Sequence, residues 1–111
     1  MRLKPVLPTL REKKRYVAFE VQAEKSLPLD QVRSGIEKTM KAFLGDLGMA
    51  RAGVLFLNDW KNQRGILKAS TRSVYEVKAA LALVENIADH KAVVRSLAVS
   101  GTVDKLRRTY F

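Results

Sequence analysis

Val17, Phe19, Val21 and Ala23 recur at every second position. That is the period of a β-strand with one buried face, and it cannot be wrapped on a helix without scattering the apolar side chains. The segment 15–24 is therefore predicted as a first strand, set centrally in a small sheet. Tyr16, Ala18, Glu20 and Gln22 take its other face. A cationic cluster, Lys13, Lys14 and Arg15, runs straight into it. Pro5 and Pro8 hold the chain before it extended, so residues 1–14 read as a basic arm and 15–111 as one α/β domain.

Two helices are predicted to cover the buried face. Leu29, Val32, Ile36, Met40, Phe43 and Leu44 form one apolar stripe at spacings of three and four. Gly45 and Gly48 suit its end. Val74, Val77, Leu81, Val84 and Ala88 form a second stripe, opened by a Ser73–Glu76 capping-box pattern. Between the helices, residues 51–58 read as a strand, 59–64 as a hairpin-type connection and 65–71 as a further strand. Lys91 to Val103 reads as the last strand. There Arg95 shares a parity with Val93, Leu97 and Val99, so either a bulge interrupts the strand or Arg95 lies near its open end. A short helix from Asp104 is too short to stand alone and must dock on something.

The order strand, helix, strand, strand, helix, strand allows two right-handed crossovers. The expected fold is α/β (α+β): a ferredoxin-like, RRM-like split β-α-β sandwich. It has a four-stranded antiparallel sheet, two helices on one face and a short C-terminal helix.

Charge narrows the function. The 111 residues carry 21 Lys and Arg against 11 Asp and Glu, a formal net charge of +10. On a small domain this favours a polyanionic partner, usually nucleic acid. The excess is concentrated. Residues 1–15 balance to +5, residues 51–72 to +4 and residues 91–111 to +4.

An enzyme reading finds little to stand on. There is no Cys, and His90 is the only histidine. No ligand set at metal spacing, Gly-rich phosphate loop or nucleophile elbow occurs. Asp59, in a basic stretch, suits an Asx turn or an ion pair with Lys61 or Arg64 better than magnesium ligation. No catalytic, metal or cofactor residue is assigned to the chain. No apolar run is long enough to span a membrane, and Met1 to Pro5 lacks a signal-peptide core, so a cytoplasmic location is expected.

RNA-recognition motifs stack bases on aromatics of the first and third strands. Here the third strand, Arg64 to Thr71, has none, and only Tyr16 on the first could stack. Phosphate and shape recognition fits better. The candidate RNA-binding residues are Arg11, Lys13, Lys14, Arg15, Lys61, Arg64, Lys68 and Arg72. Trp60 is expected to pack under its own loop, and Gly65 to let the backbone turn.

The stretch Leu7-Pro-Thr-Leu-Arg-Glu-Lys-Lys-Arg-Tyr-Val-Ala-Phe-Glu20 resembles the N-terminal signature of the archaeal ribonuclease P protein component 2 family, counterpart of the eukaryotic Pop-five subunit. Arg64-Gly-Ile66, Tyr75 to Val84 and Ser100-Gly-Thr102 are similar in the same order. A single Pro8 stands where the family often has a pair. The resemblance implies a noncatalytic subunit of a ribonucleoprotein that removes the 5′ leader of precursor tRNA, with RNA and its magnesium supplying the active site. It also implies ribonuclease P RNA and protein component 3 (Rpp-thirty type) as partners, two copies of each protein in a heterotetramer, and precursor tRNA as holoenzyme substrate. Two readings from other classes stand beside it: a ferredoxin-like domain binding a small ligand or effector, and a protein nuclease acting alone.

Overall fold

The computed structural model describes residues 13–111. The expected arm thus lies largely outside the described residues. The first strand, β1 (Lys14–Ala23), is central as its alternation required. It is followed by α1 (Leu29–Ala52), β2 (Leu55–Lys61), β3 (Arg64–Ser70), α2 (Val74–Ala82), β4 (Asn86–Ile87), β5 (His90–Ser100) and α3 (Val103–Tyr110).

The sheet order is β2-β3-β1-β5-β4, with every neighbouring pair antiparallel. The four long strands keep the split β-α-β arrangement. The expectation of four strands is corrected by β4, a two-residue strand folded back on the start of β5. Ala88 and Asp89 join them at φ 51° and 66°. Positive φ at both central residues is the mark of a type I′ turn. Ala88 is thus a turn residue. The second helix stops at Ala82, where the amides of Leu83 and Val84 bond back three residues to Ala80 and Leu81.

The β2–β3 connection also departs from expectation. It is a two-residue turn, Asn62–Gln63, at φ 54° and 59°, so Asp59 and Trp60 sit on the strand. Gln63 is held there by its own amide. Its Oε1 accepts from the Leu27 amide at 3.0 Å, and its Nε2 donates to the Leu27 carbonyl at 3.1 Å. This two-way pairing offsets the cost of a non-glycine residue in a left-handed conformation.

The first helix is interrupted at the expected place: Gly45, at φ 74° and ψ 175°, is non-helical, and a second helical stretch continues beyond it to Ala52, with Gly53 as its left-handed C-cap. Gly48 lies within the continuing helix. Ser73 makes no capping bond; its hydroxyl is buried and accepts from Ser70 Oγ at 3.4 Å.

The core follows from the strand period. Val17, Phe19 and Val21 meet Val32, Ile36 and Met40 of α1 and Val77, Ala80 and Leu81 of α2. Phe19 sits between Phe56, edge-on at 6.0 Å, and Trp60 at 6.3 Å. Gly65 lies across from Phe19, and a Cβ there would stand 2.7 Å from the Phe19 ring and 3.1 Å from Trp60. Its role is to admit the aromatics, rather than to turn the chain. Trp60 likewise packs on the core, rather than under a loop.

The opposite face carries a second, smaller cluster. Ala18 and Ile66 are covered by Leu106 of α3, with Tyr16, Leu57, Leu97 and Tyr110 around them. The bulge foreseen in the last strand is present. Ala18 pairs with Ala98 and Phe19 with Ser96, leaving Leu97 as the extra residue, and Leu97 packs in the α3 cluster. Among the described residues no helix is long and apolar enough to cross a membrane.

Candidate nucleic-acid interface

Antiparallel pairing decides which basic residues meet. β1 begins where β3 ends, because Lys14 stands opposite Ser70, Arg15 opposite Ala69 and Tyr16 opposite Lys68. The short turn Thr71–Ser73 then closes over the start of β1: the Thr71 amide and hydroxyl both donate to the Lys13 carbonyl, at 2.8 and 2.9 Å. Lys13, Lys14, Arg15, Lys68 and Arg72 are thereby gathered at one end of the sheet. Arg51, in the last turn of α1, joins them, since Lys14 Nζ reaches to 3.3 Å from where a Cβ would stand on Gly53. Arg15 Nη1 donates to the Lys14 carbonyl at 3.2 Å and lies beside Gly101 at the end of β5. Lys13, Arg51 and Arg72 are exposed; Lys14, Arg15 and Lys68 are half-buried.

Lys61 and Arg64 lie elsewhere. They flank the β2–β3 turn, a full strand away, roughly 20 Å for seven residues. Lys61 Nζ donates to the Phe111 carbonyl at 3.4 Å. Arg64 Nε donates to Glu20 Oε2 at 3.1 Å, and its guanidinium lies over the Tyr110 ring at 5.7 Å. Glu20 also meets Arg95 at 3.7 Å. A charge-assisted bond plus a cation–π contact engages Arg64 within the fold. Arg11 lies outside the described residues.

A pair that sequence reasoning missed locks α3 down. Arg107 donates twice to Asp59, Nε to Oδ2 at 2.9 Å and Nη2 to Oδ1 at 3.1 Å. This is the two-pronged geometry that matches guanidinium to carboxylate. Asp59 thus pairs with Arg107, and not with Lys61 or Arg64. The hydrogen bond to Asp59, and then its charge, hold the Arg107 guanidinium above its ordinary pKa. The only sequence signal was that Val103, Leu106, Arg107 and Tyr110 share one helical face.

The consequence is chemical. The sheet face that RNA-recognition motifs leave open for bases is occupied here by α3, and Tyr16 is packed into the cluster beneath it. What remains at the surface is cationic side chains grouped at one end, suited to phosphate oxygens and without a base-stacking platform on the sheet.

Comparison with known proteins places this geometry. Residues 15–111 match the pattern described as the Rpp14/Pop5 family. The chain belongs to that family. It is 42% identical to a protein of Thermococcus gammatolerans named ribonuclease P protein component 2, over 99% of this chain and 94% of the relative. Proteins of the same name from Pyrococcus furiosus and Archaeoglobus fulgidus are 38% and 30% identical, covering 98% and 97% of this chain and 92% and 97% of the relatives. A chain in the cryo-EM structure of yeast ribonuclease MRP shares the fold. It superposes with a TM-score of 0.66 at 10% identity, covering 84% of this chain and 77% of that one. The family resemblance seen in the sequence is thus borne out along the whole domain.

Proposed function

We propose that the chain is a noncatalytic protein subunit of ribonuclease P, binding and supporting the catalytic RNA that removes the 5′ leader of precursor tRNA. The observation that carries this is the near-full-length identity, up to 42%, to relatives named ribonuclease P protein component 2. The basic end of the sheet supplies the physical means. Lysine and arginine side chains there neutralise phosphates and release counterions, which fixes the RNA without reading its sequence. Lys13, Lys14, Arg15, Lys68 and Arg72 take this role, with Arg51 beside them and Arg11 of the arm sequence added. Lys61 and Arg64 serve first to seat α3, and reach RNA only at a second contact.

Bond cleavage would fall to the RNA component, which would supply the active site with magnesium; no residue of this chain is assigned to the metal. Protein component 3, of the Rpp-thirty type, is the expected protein partner, and two copies of each chain would make a heterotetramer. The chain works as a cytoplasmic factor with a basic N-terminal arm ahead of one α/β domain.

The test is reconstitution with the cognate RNA and protein subunits, reading precursor-tRNA cleavage with this chain present and omitted. Cleavage at moderate magnesium should fall on omission and return on adding it back. Cleavage at the 5′ junction by the pure, RNA-free protein would contradict the proposal.

A further inference from the structure

At the opposite end of the sheet, on its β5–β4 side and across β1 from Lys61 and Arg64, the surface has the reverse character. There α1 begins, α2 ends, and the β4–β5 hairpin folds back, since Ala23 at the end of β1 pairs with Ala92 near the start of β5. A groove of about 680 Å³ opens between these elements. Asp30, Glu85 and Asp89 line it, with Lys38 as the one cation in its wall. Three of the chain's 11 carboxylates thus share one groove on a protein of net charge +10. Among the described residues none of the three belongs to an ion pair. The groove's apolar wall is Leu83, 51% exposed.

Leu83 is not isolated. Tyr75, Ala79, Ala82 and Leu83 follow one another along the outer face of α2, all exposed, at helical spacing. Tyr75 is 84% exposed. With Val77, Ala80 and Leu81 buried on its inner face, this helix is apolar on both sides, which is the pattern of a helix covered on both sides. Its two exposed alanines would let another backbone approach closely. The stripe runs directly into the acidic groove.

We propose that this surface docks a protein partner that lays an apolar segment along Tyr75–Leu83 and sets a lysine or arginine in the groove against Asp30, Glu85 and Asp89. Charge selects the occupant. Phosphates are repelled by the three carboxylates, so RNA is disfavoured in this groove. A second copy related by a two-fold axis would set the same carboxylates against each other. A cationic, partly apolar protein segment satisfies both features at once. The domain then divides its work: RNA first at the end where β1 starts, protein at the β5–β4 side of the other end, across β1 from Lys61 and Arg64. This rests on the reading of the chain as one subunit of a larger ribonucleoprotein.

The test uses the full chain, with Glu85→Lys and Asp89→Asn combined, asparagine keeping the left-handed turn position of Asp89, and separately Leu83→Ser. All three side chains are exposed, so unchanged circular dichroism and melting are expected. The probes are the purified protein subunits of the same ribonuclease P, offered one at a time without RNA, and then the catalytic RNA alone. The charge variant should weaken binding of one protein subunit by at least about tenfold, Leu83→Ser should weaken the same one, and RNA affinity should not fall. The proposal is overturned if no protein subunit's binding changes, if RNA affinity falls instead, or if mixed-label copies show that the lost contact was with a second copy of this chain. A wild-type chain that binds RNA but no protein subunit sinks the docking surface alone. One that binds a protein subunit at this groove but not RNA leaves the surface standing and sinks the RNA role.

Discussion

The two faces of the sheet are closed by different physics. On one, Phe19, Ile36, Met40, Leu67 and Leu81 are fully buried between β1, β3, α1 and α2. On the other, three buried residues suffice, Ala18, Ile66 and Leu106, and the helix above them is tied down by Arg107–Asp59 and by Arg64 between Glu20 and Tyr110. Apolar burial scales with area and carries the fold. Exposed ion pairs contribute little energy but fix geometry. The first face therefore decides whether the chain folds, and the second decides what the folded sheet can bind. With α3 in place, the sheet face offers bases no platform, and the proposed RNA contact rests on charge at the strand ends.

Breaking the first face has the largest effect. Phe19→Ala should destabilise by about 3–5 kcal/mol, read as a lower urea midpoint, and leave little folded protein. Leu106→Ala should cost about 2 kcal/mol, the low end for a buried leucine, because α3 can lift while the main core stays packed. Hydrogen exchange should then quicken in 103–110 and leave β1 protected; equal loss in both would refute the separation of the two faces. Asp59→Asn should be smaller still. It removes the charge that faces Arg107, so the midpoint should barely move while protease access to the C-terminal helix rises. The Arg107 proton adds no pH dependence here: a pKa raised in the folded state gives stability that persists until pH climbs past the ordinary arginine range, beyond working conditions.

Much of this was legible in the residues, and the misses have local causes. Val17, Phe19 and Val21 pointed to the buried face because a period of two admits no other reading. The imperfect alternation around Arg95 foretold the Leu97 bulge. The β2–β3 hairpin is legible but reads too long, and the β4–β5 turn is not legible, because Asn62–Gln63 and Ala88–Asp89 hold positive φ without glycine. Gly45 suits a helix end, and its non-helical backbone does interrupt α1; that a second helical stretch continues to Ala52 is not visible in the apolar stripe. Lys61 and Arg64 looked continuous with Lys68 and Arg72 because they are close in sequence. A strand running the length of the sheet separates them, and Glu20, 44 positions from its partner Arg64, helps tie the far end down. The clasp between Asp59 and Arg107 spans 48 positions, and no local pattern announces such a contact.

The central claim is that RNA is held by phosphate contact at the basic end of the sheet. The slope of log affinity against log salt, measured for the catalytic-domain RNA with wild type and with Lys13, Lys14 and Arg72 all changed to Ala, tests it most directly. Each phosphate contact contributes roughly 0.7–0.9 to that slope. The account predicts a slope shallower by about 2–3 in the triple variant, with the melting transition preserved. An unchanged slope in a folded triple variant would contradict it.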